Sequence, residues 1–210
     1  MRLRELESAR SGSLFASPLL THIWADGPQL NAQLRDSILE HARRHPGTEL
    51  TNVGGWHSEP GTLEFCGTAG QRLIRHMDAM IKEATLRLYA EYARPPQPVS
   101  WILSAWANVN QRGDFNQLHT HPGATWSGVY YVDHGESNPD AEGTAIHLFD
   151  PNPARTNIFF PEFSASNVLF KPEPGLMILF PSYVPHAVLP HRGDRPRISI
   201  AFNARREPFP

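Results

Sequence analysis

Gln117-Leu-His119-Thr-His121-Pro122 sets two imidazoles two residues apart. In an extended strand that spacing points both side chains to the same side. Pro122 biases His121 toward extended backbone, which favours this geometry. A third histidine, His186, follows the apolar run Leu176-Met-Ile-Leu-Phe180 and the turn Pro181-Ser-Tyr-Val-Pro185, which places it at a strand edge. Three imidazoles meeting at one point form a facial ligand set with positions left open. That is the plan of a non-haem iron site, in which a carboxylate usually takes the place of one of the three. Imidazole also suits zinc, copper and nickel, so the donors alone leave the metal open.

The last strand-like segment adds a second piece of chemistry. From Arg197 onward, Arg197, Ser199, Ala201 and Asn203 share one face, while Ile198, Ile200 and Phe202 share the other. The apolar face packs against helices or a second sheet. The polar face then either lies inside the fold, where an unpaired charge is costly to bury, or belongs to a solvent-facing edge strand with a surface arginine; the interior reading is preferred. A guanidinium with a hydroxyl two residues on suits one carboxylate of a small dicarboxylate, through a bidentate salt bridge and one further hydrogen bond.

The elements that must hold these groups are also readable. Asp26-Gly-Pro28-Gln29 has the form of an N-cap, an early proline and a capping-box partner, and Leu30, Leu34, Ile38 and Ala42 follow at helical spacing. Thr68-Ala-Gly-Gln71 repeats the cap pattern ahead of an apolar stripe, Leu73, Met77, Met80, Ile81, Ala84 and Leu88. Arg94-Pro-Pro-Gln-Pro98 ends that second helix. Between the helices, Asn52-Val-Gly-Gly-Trp56-His57-Ser58 is a glycine-rich loop or short strand entry.

After Val99 the pattern changes to strands: 100–109, 126–132, 144–149, 167–170, 176–180, 187–189 and 197–203. Their turn signals include Gln111-Arg-Gly-Asp114, Gly135-Glu-Ser-Asn138, Pro172-Glu-Pro-Gly175 and His191-Arg-Gly-Asp194. Many short strands at close intervals argue for a sandwich or barrel. The expectation is one domain over residues 1–210, with a helical part at 1–98 and a β core at 99–210.

Composition narrows the function classes. The chain has 210 residues, 40% hydrophobic and 19% charged, as suits a globular protein. A formal net charge of -2 and no basic run argue against a nucleic-acid or membrane face. A single cysteine, Cys66, permits no internal disulfide and fits a reducing compartment. Met1-Arg-Leu-Arg-Glu-Leu-Glu lacks the apolar core of a secretion signal, so a cytoplasmic location is expected, with a homodimer as the default assembly. Of the eleven histidines, His41, His45 and His76 fall in helical segments and are read as solvated, and His147 as a core histidine. His22, His134 and His191 have no partner at ligand spacing.

Taken together, these residues resemble the 2-oxoglutarate- and Fe(II)-dependent oxygenase superfamily. His119 matches its first metal ligand, His186 its distal ligand, and Arg197 with Ser199 its co-substrate anchor. Pro174-Gly175-Leu-Met-Ile-Leu-Phe180-Pro resembles the family's strand before the distal histidine. A subgroup of bacterial and phage members with an H-x-H motif is similar in finer detail. Its marks are Phe15-Ala-Ser-Pro18, Gly54-Gly-Trp56-His57-Ser58, Ser127-Gly-Val-Tyr-Tyr131 and Arg197-Ile-Ser-Ile-Ala-Phe-Asn203.

The resemblance implies a double-stranded β-helix (a cupin-like jelly roll) backed by N-terminal helices. It implies a dioxygenase using iron(II), 2-oxoglutarate and O2 to hydroxylate a small molecule or peptide side chain, with release of succinate and CO2. The metal ligands would be His119, His121 and His186. The co-substrate would meet Arg197 and Ser199, and either Asn108 or Tyr130 from neighbouring strands. Tyr130 and Tyr131 have opposite parity, so only one faces inward, and both stay open. His121 stands where the superfamily has a carboxylate, and Asp114 or Asp150 are the nearby acids able to substitute. Trp56 and His57 serve either as a rim over the substrate or as a hairpin anchor. Two alternatives stand beside this reading: a three-histidine cupin-type dioxygenase that uses no 2-oxoglutarate, and a metal- or ligand-binding jelly roll without turnover.

Overall fold

The computed structural model describes residues 16–136, 144–152 and 167–207. The amino-terminal stretch Met1 to Glu7, Phe15, and Ser137 with Asn138 of one turn signal lie outside the described residues. In chain order the elements are β1 (Leu20–Ile23), α1 (Gly27–Arg44), β2 (Asn52–Val53), β3 (Trp56–His57) and α2 (Gly67–Glu91). There follow β4 (Trp101–Asn110), β5 (Phe115–His119), β6 (Trp126–Asp133), β7 (Ile146–Phe149) and β8 (Asn167–Phe170). The last three are β9 (Leu176–Pro181), β10 (His186–Val188) and β11 (Arg197–Arg206).

The strands form two facing antiparallel sheets, the architecture of a jelly roll. The larger has the order β1-β9-β6-β11-β4-β3, the smaller β2-β5-β10-β7-β8. Both helices cover the outer face of the larger sheet. Leu30, Leu34 and Ile38 of α1 and Leu73, Met77 and Ile81 of α2 bury themselves there against Ile198, Ile200 and Phe202 of β11. Each such large apolar side chain, fully buried, contributes about 1.5–3 kcal/mol. A second apolar cluster, Val129, Tyr131, Ile146, Leu148, Ile178, Phe180 and Val184, lies on the inner faces of the sheets.

β6 is buried along almost its whole length. Trp126, Tyr130 and Val132 go to the helix side, and Val129 and Tyr131 to the interior. Gly128 stands directly opposite Phe202 on β11. A Cβ at that position would collide with the Phe202 ring and with the Ile178 carbonyl, so the aromatic occupies the space that glycine leaves open.

Several sequence expectations need correction. Asp26 precedes α1 but makes no side-chain cap bond. Its carboxylate turns to α2 instead, accepting from Arg72 Nε at 2.6 Å and His76 Nε2 at 2.9 Å. His76 is therefore not a solvated histidine: it pairs with Asp26 and stacks on Trp24 with ring centroids 3.8 Å apart. His41 likewise stacks on Phe65 at 4.1 Å. The second helix starts at Gly67, so Thr68 lies inside it, and no side chain caps its start. β1 was not anticipated; three of its four residues are exposed, and it pairs along β9 at the edge of the larger sheet, with Leu20 packed against the core. The glycine-rich loop resolves into two strands of two residues each, on different sheets.

Candidate metal centre and co-substrate cavity

The smaller sheet brings the three histidines together. His119 ends β5 and His186 begins β10, and the two are paired across the antiparallel ladder. His121 lies beyond the end of β5, so the same-face rule of an extended strand stops at His119. What fixes His121 is a turn: its N–H donates to the Ser182 carbonyl at 3.1 Å, and its own carbonyl accepts from Ala124 N–H at 3.3 Å. The ring centroids are 4.2 Å apart for His119 and His186, 4.9 Å for His119 and His121, and 5.1 Å for His121 and His186. One ligand nitrogen from each lies within 4.8 Å of the others.

Protonation states follow from the local bonds. His119 Nδ1 lies 2.6 Å from the Gln117 carbonyl, and His186 Nδ1 lies 2.9 Å from the Val184 carbonyl. A carbonyl only accepts, so each Nδ1 carries the proton and each Nε2 keeps its lone pair. This is the second-shell bond that orients metal-ligating histidines. Burial lowers the pKa of His119. Burial and the neighbouring His119 push His121 down to about 4. Burial, with His119 next, pushes His186 down to about 3. Three neutral nitrogen donors thus converge at neutral pH, and such a set fits a borderline divalent cation. Among the described residues no carboxylate joins the group. Asp114 accepts from Gln111 N–H at 2.7 Å and Asp150 from Asn152 N–H at 2.8 Å, each in its own turn.

The larger sheet faces this cluster across a cavity of about 390 Å³. Its inner face is a series of cross-strand rungs. Arg197 opposes Asn110; Ser199 opposes Asn108 on one side and Tyr131 on the other; Asn108 in turn opposes His57. Arg197 is only 1% exposed, which settles the orientation of β11: the polar face is inward. Its Nη1 donates to Ser199 Oγ at 3.1 Å, and its guanidinium carbon stands 5.3 Å from the Tyr131 ring centre. Arg197 Nε and the Tyr131 hydroxyl are both buried without a hydrogen-bond partner among the described residues. Burial lowers the arginine pKa, yet a guanidinium remains charged in proteins. A buried cation beside an unpaired donor and an unpaired hydroxyl is a cradle for an anion. Leaving such groups unmatched costs about 1–3 kcal/mol each.

Residues 104–203 match a family described as "Putative 2OG-Fe(II) oxygenase". That match groups residues 104–203 with the 2-oxoglutarate- and iron(II)-dependent oxygenases. Solved structures agree on the fold of this oxygenase. A prolyl-4-hydroxylase of Pseudomonas putida is 17% identical, with a TM-score of 0.63 over 91% of this chain and 94% of that one. A prolyl hydroxylase from Trichoplax adhaerens, in complex with a hypoxia inducible factor oxygen degradation domain peptide fragment, is 15% identical, with a TM-score of 0.63 over 89% and 82%. SnoK, a non-heme alpha ketoglutarate dependent carbocyclase from nogalamycin biosynthesis, is 10% identical, with a TM-score of 0.59 over 90% and 79%. No curated protein matches the sequence. Iron(II) and 2-oxoglutarate are the cofactors of the superfamily, and the oxygenase is an enzyme. No helix among the described residues is long and apolar enough to cross a membrane.

Of the residues singled out in the sequence, the structure gathers His119, His121, His186, Arg197, Ser199 and Asn108 around one cavity. Tyr130 is a correction: its hydroxyl donates to Asn31 Oδ1 of α1 at 2.7 Å, on the helix side of the larger sheet. The tyrosine beside the arginine is Tyr131. Sequence reading passed over Ser104, Trp106 and Asn116, which also line the cavity. For Ser104 and Trp106 the signal was present: both share the parity of Asn108, so they face the same way along β4. His57 is a cavity wall as well as a hairpin residue, buried with Nδ1 donating to the Ser58 carbonyl at 2.6 Å.

Proposed function

We propose that the oxygenase hydroxylates an organic substrate, with iron(II) held by His119, His121 and His186. In this reading the far carboxylate of 2-oxoglutarate rests on Arg197 and Ser199. The observation that carries it is the buried Arg197, charged, faced into the cavity, and paired with no carboxylate among the described residues. A cupin-type centre indifferent to 2-oxoglutarate would give that arginine nothing to bind.

Bound iron(II) supplies the redox chemistry, in which O2 oxidises 2-oxoglutarate to succinate and CO2 and delivers one oxygen atom to substrate carbon. The chain's own part is binding, orientation and exclusion of water. The Nδ1 bonds of His119 and His186 hold both rings in the tautomer that offers Nε2. Arg197 supplies a fixed fork for a carboxylate, with Ser199 Oγ as a third contact. Tyr131 closes the anchor from β6; burial keeps its hydroxyl protonated, its pKa pushed up to about 12 despite the pull of Arg197, so it can donate to the same carboxylate. Asn108, 7% exposed and opposite Ser199, adds an amide on the other flank. Val129, Ile146, Phe180 and Val188 line the cavity with apolar surface that displaces water.

The test is turnover. Iron(II)-loaded protein given 2-oxoglutarate and O2 should release succinate, and the yield should fall to background without O2. Full metal loading with no succinate, under any of the substrates supplied, would defeat the reading and favour a binding module.

A further inference from the structure

Among the described residues, no charged side chain lines the part of the cavity left for a substrate. Among those lining the cavity as a whole, the only formally charged side chain is Arg197, which the reading above assigns to 2-oxoglutarate. At the other end of the same face, Asn203 of β11 forms a rung with Ser104 on β4 and Ser127 on β6. Six residues at about 3.4 Å each separate that rung from Arg197 by about 20 Å along the strand. Ser127 Oγ donates to Asn203 Oδ1 at 2.7 Å. Asn203 and Ser104 both line the cavity, and among the described residues neither Asn203 Nδ2 nor Ser104 Oγ hydrogen-bonds another residue. On the next rung Trp106 lies opposite Ala201, half-buried, with its ring 5.7 Å from His121.

An ammonium or carboxylate entering this end would lose its water against neutral walls, which costs several kcal/mol without a counter-charge. A free amino acid brings both charges. An amide brings neither, and its carbonyl and N–H match what the rung presents: an N–H donor on Asn203 and a hydroxyl on Ser104. Trp106 offers a flat apolar surface between that rung and the histidines. We propose that the substrate is an uncharged residue within a peptide chain, its backbone amide bound by Asn203 and Ser104 and its side chain laid on Trp106. The proposal rests on the 2-oxoglutarate reading, because that reading is what occupies Arg197.

The test uses the full chain loaded with zinc(II), which suits imidazole donors and carries out no redox step, together with 2-oxoglutarate. Saturation-transfer NMR is run with the N-acetyl methylamides of alanine, leucine, proline, lysine and aspartate, and with free leucine. The neutral capped residues should bind, with the charged and the free ones at least tenfold weaker. Asn203→Ala and, separately, Ser104→Ala should weaken the best neutral probe at least fivefold while 2-oxoglutarate affinity stays unchanged. Asn203→Asp should shift the preference toward the capped lysine. Equal binding of charged or free probes would overturn the proposal. So would no binding of any neutral capped residue while zinc(II) and 2-oxoglutarate are held, or indifference of that binding to Asn203 and Ser104. Parent protein that holds zinc(II) but not 2-oxoglutarate would overturn the co-substrate reading, and this proposal with it.

Discussion

Arg197 has nearly all of its surface removed from water and shares a rung with neutral Asn110. Its value to the site lies in the planar fork, not in charge alone, because a fork meets both oxygens of a carboxylate. Arg197→Lys keeps the charge and loses that geometry. It is expected to raise the 2-oxoglutarate dissociation constant at least tenfold, about 1.4 kcal/mol, with metal content unchanged; calorimetric titration of the zinc(II) form measures both. Arg197 and Ser199 were legible because β11 alternates apolar and polar residues, and the inward face followed from parity. Tyr130 and Tyr131 were not, because β6 is buried on both sides and its alternation carries no polar contrast. For His121 the spacing gave the right neighbour for an incomplete reason, since a turn, not a strand, delivers the ring.

At the scale of elements, the helices are fastened to each other as well as to the sheet. Asp26, at the start of α1, joins Arg72 and His76 on α2. Burial works to raise the Asp26 pKa, but the hydrogen bond and charge of His76 and the charge of Arg72 outweigh it and leave it below the ordinary value. A carboxylate depressed in the folded state contributes stability that is complete above its unfolded pKa, about 3.9. That stability is lost as pH falls through the folded value. Asp26→Asn should therefore cost about 1–3 kcal/mol at pH 6, and the difference from the parent should narrow as pH falls below about 3.9; urea midpoints across that range read this out.

The β6–β11 pairing depends on one missing side chain. Gly128→Ala is expected to destabilise by about 1–3 kcal/mol, because the new methyl overpacks against Phe202 and a strand carbonyl in a close-packed core. A lowered urea midpoint at unchanged m-value is the expected signature. The helices, and the strands with strong apolar runs, were readable from periodicity. β1, β2 and β3 were not, since two to four residues hold no repeat and their formation depends on partners far along the chain.

For the whole molecule, the two sheets bring together what the sequence keeps apart. β5 and β10 hold the histidines on one sheet, and β4, β6 and β11 hold the anchor and the far rung on the other. The strand order β1-β9-β6-β11-β4-β3 places β4, the first strand after α2, beside β11, the last strand, which no local pattern encodes. That the two sheets enclose one cavity followed from the resemblance, not from spacing. In the proposed reaction this cavity holds iron(II) and 2-oxoglutarate together, each on its own residues. Anaerobic titration of iron(II)-loaded protein with 2-oxoglutarate tests it most directly, because the weak visible charge-transfer band arises only when the keto acid meets the metal. The band should saturate at one 2-oxoglutarate per iron, shift to much higher 2-oxoglutarate concentration in Arg197→Ala with iron retained, and vanish with the iron in His186→Ala. Iron held at one per chain with no band, or a band indifferent to Arg197, would contradict the account.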